Sequence, residues 1–236
     1  MKRYALIDVS NTKETTKTVF NFSVDWEKTI MFLKNEKWQC QEVIYYEGRT
    51  NDRKFDNLHA KLKSLGYMVR TKTTFFHQNK KRDIKFVCKK CSKENSFEEY
   101  KFNCLQCSQE KIIDLNNKGT HPKANFDVEL TVDALSFAGP DVTIILFTGD
   151  GDFRYLAEKL VEAGATVIFV STYHETLKDK RKRFSTRLKG LLFLEEQRAT
   201  RLKEKPRVRF LEIDNFRNLI SKNEEKENAA KRDVSE

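Results

Sequence analysis

The residues of this chain that can do chemistry are four cysteines and several aspartates placed at the ends of apolar runs. Cys88, Cys91, Cys104 and Cys107 form C-x2-C, twelve residues, then C-x2-C, while Cys40 stands apart. Each C-x2-C pair makes a turn whose two thiolates reach one ion. Four thiolates close a tetrahedron around Zn2+ and leave no position for water. In an intracellular chain this spacing points to a structural zinc site rather than to two disulfides.

The acids form the second group. Asp8 ends the run Tyr4-Ala5-Leu6-Ile7, and Asp150 follows Val142 to Phe147 within Thr148-Gly149-Asp150-Gly151-Asp152-Phe153. In an open parallel sheet, ligands bind outside the carboxyl ends of the strands. Asp8 and Asp150 are expected to meet there. Carboxylates at one edge repel each other unless a cation lies between them, and hard oxygen ligands suit Mg2+ or Mn2+. Asp152 adds a third acid, although it can also serve as the N-cap of the next helix. Asp127 opens the helix of Phe126 to Asp133 and is taken as a further ligand. Asp133, six residues on, points roughly 120° away and stands behind it.

Elements alternating between strand and helix must position these groups. Strands are predicted over 4–9, 42–46, 67–71, 142–147 and 166–170. Helices are predicted over 25–37, 56–65, 125–137 and 152–163, with Gly66 and Gly164 closing two of them. Five strands with intervening helices imply an α/β fold, a Rossmann-like parallel sheet covered on both faces. Between about 76 and 118 the apolar periodicity stops and the four cysteines appear. This stretch is too small to hold a core and would need its metal. A short last strand is expected over 191–194, a partly helical stretch over 198–221, and a frayed end beyond. No internal repeat is evident.

The chain carries 45 Lys and Arg against 35 Asp and Glu, a net +10, which favours a polyanionic partner. Lys180, Arg181, Lys182, Arg183 and Arg187 lie in one basic run, 178–189. They are expected to grip a nucleic-acid backbone, contacts that position without reading sequence. No apolar run approaches the ~20 residues of a membrane span. A soluble, cytoplasmic protein without a membrane partner is expected. G-x-G-x-x-G after the first strand, G-x-x-x-x-G-K-[ST] and G-x-S-x-G are all missing, which excludes dinucleotide, P-loop and serine-elbow chemistry of those types. The four histidines lack metal-ligand spacing and are read mostly as surface residues.

Ile7-Asp8-Val9-Ser10-Asn11, Phe126-Asp127-Val128-Glu129-Leu130-Thr131-Val132-Asp133 and Thr148-Gly149-Asp150-Gly151-Asp152-Phe153 together resemble the NYN domain family of PIN-like nucleases, which includes the LabA-like group. The resemblance covers about residues 3–195, the cysteine insert excepted. It implies a sheet of order 3-2-1-4-5 and metal-dependent cleavage of phosphodiester bonds, usually in RNA. By position, Asp8, Asp127, Asp150 and Asp152 match the family's acidic cluster, Asn11 its polar partner, and Lys123 falls near its lysine before the second acid. The cysteine-rich insert departs from the plain domain, as does Gly190-Leu191, where many relatives carry an acid.

The expected organisation is a discontinuous PIN/NYN-type nuclease domain over 1–75 and 119–195. A zinc-ribbon insert over 76–118 and a charged C-terminal extension over 196–236 complete it. The expected activity is a metal-dependent endoribonuclease using catalytic Mg2+ or Mn2+ beside structural Zn2+. The alternatives are a nuclease acting on DNA, a non-catalytic nucleic-acid-binding module, and an adaptor. In any of these the ribbon can contact a protein partner or a second copy of the chain.

Overall fold

A computed structural model describes residues 1–49, 53–78, 84–97, 99–114, 120–178 and 180–222. The chain divides into two compact units, one of 1–73 with 125–236 and one of 74–124. The expected frayed end beyond Lys222 lies outside the described residues.

The first unit opens with β1 (Lys2–Asp8), α1 (Val9–Phe20), α2 (Trp26–Lys34), β2 (Glu42–Arg49), α3 (Arg53–Ser64) and β3 (Met68–Thr73). Helix α1 has no counterpart among the predicted elements. Its buried face is Val9, Thr12, Thr15, Thr16 and Val19, so threonine takes the place of leucine. The buried hydroxyls are satisfied locally: Thr12 donates to the Asp8 carbonyl at 2.7 Å and Thr16 to that of Lys13 at 3.3 Å. Asp25 caps α2, its carboxylate accepting from the amides of Glu27 and Lys28.

The second unit contains β4 (Phe75–Gln78), β5 (Ile84–Val87), β6 (Glu94–Phe97), β7 (Glu99–Asn103), β8 (Glu110–Asp114) and β9 (Thr120–Lys123). Among the described residues it shows three antiparallel pairs, β4 with β9, β5 with β6 and β7 with β8. The last two are a structural repeat that the sequence reading did not recognise. Cys88 to Cys91 turns β5 into β6, and Cys104 to Cys107 turns β7 into β8. In each, the first cysteine amide donates to a carbonyl five residues on at 2.9 Å, and the serine after the second cysteine has φ of 54°. The shared pattern is Cys-x2-Cys-Ser-x-Glu. Its period of sixteen residues is easily missed because only the turn residues repeat.

The chain returns to the first unit with α4 (Asp127–Ser136), β10 (Val142–Phe147), α5 (Arg154–Glu162), β11 (Thr166–Ser171), α6 (Thr186–Leu202), β12 (Val208–Glu212) and α7 (Arg217–Ile220). The central sheet is six-stranded and all parallel, in the order β12-β11-β10-β1-β2-β3. The first and fourth sheet strands, β1 and β10, are neighbours, and all six side chains of β10 are buried. Leu6, Ile44, Leu146 and Phe169 face a core with α4, α5 and α6. Ile7, Val43, Tyr45 and Ile145 face a second core with α2 and α3.

Two expectations are corrected. Residues 191–194 belong to α6, because Leu188, Leu191, Glu195 and Ala199 recur at helical spacing on its buried side. The α/β domain does not stop at 195: Val208–Glu212 pairs with β11 as a sixth strand, with Val208 in the core. No helix among the described residues is long and apolar enough to cross a membrane.

Candidate active site

The site begins where β1 stops. Asp8 is the N-cap of α1, and its Oδ1 accepts from the Asn11 amide at 3.0 Å. A short polar side chain at this position satisfies one of the open amides of the first turn. Asn11 in turn accepts from the Gly149 amide through Oδ1 at 3.2 Å, and the Thr12 hydroxyl also reaches the Phe147 carbonyl at 3.2 Å. The first turn of α1 is thus stitched to the end of β10.

Asp150 follows three residues after the end of β10. It caps a single 3-10 turn, Gly151–Phe153, and accepts from the Asp152 amide at 3.0 Å. Gly149 and Gly151 are required by close approach. A Cβ on Gly149 would lie 2.0 Å from the Arg183 carbonyl oxygen, and one on Gly151 would lie 2.3 Å from Ser185 Oγ. Asp127 is the first residue of α4, its amide held by Asn125 Oδ1 at 2.7 Å.

Asp8 feels the charges of Asp127 and Asp150. The Asp8 carboxyl is pushed up to about 6, first by burial, with further upward pushes from Asp127 and Asp150. The Asn11 amide and the Arg183 guanidinium pull it down. Asp152 is turned elsewhere: it is exposed and pairs with Arg187 at 3.3 Å. Among the described residues no group of three or more His, Cys, Asp or Glu is close enough to hold a metal ion as it stands. The carboxylates interact through space without closing into one coordination shell. Three acids of one sign at one sheet edge are still a donor set suited to a hard divalent cation.

The same holds for the cysteines, whose two pairs are not drawn into one four-sulfur group. Each knuckle is nonetheless shaped for thiolate. Backbone amides of Cys91 and Lys90 donate to Cys88, and those of Gln106 and Cys107 donate to Cys104. These bonds lower both thiols from their ordinary value. Cys40 is buried in the core of the first unit, and burial pushes its thiol up to about 12.

The basic run divides by role. Arg181 and Lys182 are exposed. Lys180, also exposed, sits at φ of 54° in the preceding turn. Arg183 is drawn inward instead. It donates through Nε to Thr15 Oγ1 at 3.1 Å and through Nη2 to the Asn11 carbonyl at 3.4 Å, and it pairs with Glu14 at 3.0 Å. With the Ser185 amide donating to the Gly149 carbonyl at 2.9 Å, the segment 183–185 clamps the ends of α1 and β10 together. Arg187 is occupied by Asp152. Lys123 closes β9 in the second unit.

Other polar residues have roles that sequence reasoning missed. Asp133 accepts from the Tyr46 hydroxyl at 2.8 Å and takes both arms of Arg70, which anchors α4 against β2 and β3. His59, one of four histidines read mostly as surface residues, is buried 3.4 Å from Glu47, which also receives Lys13 at 2.5 Å and the Tyr45 hydroxyl at 2.8 Å. The three acceptors and donors around Glu47 come from α1, β2 and α3, so no local spacing reveals them.

The fold and this sheet-edge arrangement define an α/β protein with an acidic crevice at the carboxyl ends of β1 and β10. The family model of the NYN domain matches residues 92–188, a stretch that includes Asp127, Asp150 and Asp152, and this match supports the NYN family. No curated protein matches the chain. One similar solved structure is that of a protein of unknown function from Vibrio parahaemolyticus. It is 22% identical over 72% of this chain and 80% of that chain, with a TM-score of 0.45.

Proposed function

We infer that this chain is a metal-dependent endoribonuclease of the PIN-like type. The observation that supports this most is Asp8, at the end of a strand of a parallel sheet, within electrostatic reach of Asp127 and Asp150 in a chain of net charge +10. Acids near a phosphate backbone repel it unless a cation is present, so a basic protein with such a cluster fits a cation-assisted hydrolase. Asp8, Asp127 and Asp150 would hold Mg2+ or Mn2+, with Asp152 brought in on release from Arg187. The bound ion would activate water and neutralise charge on the phosphate. Asn11 fixes the geometry of Asp8 and Gly149 at once, and the 183–185 clamp holds the two strand ends in register.

Cys88, Cys91, Cys104 and Cys107 would hold one structural Zn2+, the two alike knuckles closing around it. RNA is the favoured substrate and a cytoplasmic setting the expected one. Lys180, Arg181 and Lys182 are proposed backbone contacts, with Lys123 a further one. Self-association or a protein contact through the cysteine unit accompanies this reading. A non-catalytic nucleic-acid-binding role is the second reading, and the open spacing of the carboxylates favours it.

Incubation of labelled single-stranded RNA and DNA with the protein in EDTA, Mg2+ and Mn2+ separates the readings. RNA cleavage that depends on Mg2+ or Mn2+ supports the endoribonuclease. Binding without cleavage in any metal supports the second reading.

A further inference from the structure

A groove of about 730 Å3 lies between α1, α2 and α3, on the side of the sheet away from α4. That volume is within the usual range of ligand sites. Its lining contains five lysines, Lys13, Lys17, Lys28, Lys61 and Lys222, against two acids, Asp25 and Glu27. Both acids are already engaged. Asp25 caps α2 through Oδ1, at 3.0 and 3.1 Å from the amides of Glu27 and Lys28, and Glu27 pairs with Lys61 at 3.2 Å. Lys13 is held by Glu47. Lys17 and Lys222 are exposed and have no ion-pair partner among the described residues. The floor carries apolar side chains, Phe22 and Leu58 among them. A groove with an apolar floor and an excess of cations on its rim is complementary to a strand that carries phosphates outside and bases inside.

Helix α1 joins this groove to the acidic crevice. It starts at Asp8, carries Asn11 in its first turn and passes Lys13 and Lys17 into the groove. Nine residues of helix separate Asp8 from Lys17, about 14 Å along the axis. The basic run 178–189 is a weaker candidate for this role, since Arg183 and Arg187 are both neutralised by carboxylates. We propose that the lysine groove between α1, α2 and α3 binds the segment of single-stranded RNA flanking the bond at the acidic crevice. This rests on the reading of the chain as an RNA-directed protein.

The test compares Asp150→Asn protein, used to prevent cleavage, with the same protein carrying Lys17→Gln and Lys222→Gln. Fluorescence anisotropy with a labelled single-stranded oligoribonucleotide, titrated across salt concentration, gives the slope of log affinity on log salt. Loss of two phosphate contacts on a single strand should reduce that slope by about 1.4. The melting temperature should not change, because among the described residues neither lysine has an ion-pair partner to lose. In the cleavage-competent protein the double substitution should raise KM for a long oligonucleotide, leave kcat alone, and leave a dinucleotide substrate unaffected. An unchanged slope in protein that binds RNA overturns the groove and leaves the nuclease reading standing. A reduced affinity for an acidic peptide with RNA binding unchanged overturns it in favour of a protein partner. Failure of the parent to bind or cleave RNA in any metal removes both.

Discussion

In the sheet unit, every side chain of β10 from Val142 to Phe147 is buried, and two cores flank the sheet. In residues 74–124, no described side chain is buried, and Val87 and Leu105 stand exposed at 62% and 103%. The first unit is held by apolar burial on both faces of a parallel sheet, the dominant favourable contribution to folding. Among its described residues the second shows three two-stranded pairs, a form that is marginal in water without something to cross-link it. Its one distinctive chemistry is the pair of cysteine knuckles. The comparison separates two kinds of metal dependence. Loss of metal from the acidic crevice should remove activity and spare the fold, while loss from the knuckles should remove local order and spare the sheet.

The largest effect belongs to the crevice. Asp150→Asn keeps the 3-10 cap, since asparagine accepts from the Asp152 amide as aspartate does. Metal-dependent RNA cleavage should fall by several orders of magnitude, with the circular dichroism spectrum retained and RNA binding equal or tighter. A folded Asp150→Asn protein with undiminished cleavage would sink the assignment of this residue and place any activity elsewhere.

The knuckles come next. Protein purified without chelators should contain about one zinc per chain, and Cys88→Ser should remove most of it. Limited proteolysis should then cut within 74–124 while fragments of the sheet unit persist, because the metal supplies the folding free energy of such small modules. Uniform loss of structure across both units would break the comparison. So would metal-free protein with the insert fully protected.

How much of this was legible in the sequence depends on the kind of signal. Strand β10 was plain, because an unbroken apolar run between turn residues has few other readings. The meeting of Asp8 and Asp150 at one edge followed from strand order alone. Helix α1 was hidden because its buried stripe is threonine, with hydroxyls satisfied by carbonyls of the preceding turn. Strand β12 was hidden because Arg209 and Glu212 break its apolar run, and residues 191–194 looked like a strand until the spacing of Leu188, Leu191, Glu195 and Ala199 was read as helix. The partners of Arg183 and Asp152 could not be read from spacing. Arg183 reaches Thr15 across 168 residues and Arg187 reaches Asp152 across 35, and only the folded sheet brings them together.

Asp8 offers a more moderate effect, readable as stability. Its carboxyl lies near 6 in the fold against an ordinary value of 3.8, first because of burial. An acid raised in this way favours the fold while protonated. That contribution is complete below about 3.8 and is lost as pH rises through 6. The gap between the two values is worth about 3 kcal/mol at most, and about 1–2 kcal/mol once screening at a partly exposed position is allowed for. Asp8→Asn keeps the N-cap of α1 and should therefore raise Tm by about 2–6 °C at pH 7.5. The gain should vanish near pH 3.5. Mn2+ should raise Tm of the parent and have little effect on the variant. An equal gain at both pH values would show that the burial of charge is not the cause.

The smallest effect tests whether the basic run is one surface or two. Arg183 is bound to Thr15, Glu14 and the Asn11 carbonyl, with only 11% of its side chain exposed. Arg181 and Lys182 face solvent. If the clamp holds Arg183 in this way, Arg183→Gln should cost about 1.5 kcal/mol of stability, the low end for a lost hydrogen bond from a charged group. It should leave the salt slope of RNA binding unchanged. Lys182→Gln should do the reverse, lowering the slope by up to about 0.7 with no change in Tm. Cleavage adds a second readout. Loosening the first turn of α1 should lower kcat in Arg183→Gln while KM stays the same, and Arg183→Lys should recover part of it, since an ammonium can still reach Glu14. A fall in salt slope on replacing Arg183 would mean that its side chain leaves the clamp to meet phosphate. The run would then be a single binding surface, and the register of β10 against α1 would rest on Asn11 and the two glycines alone.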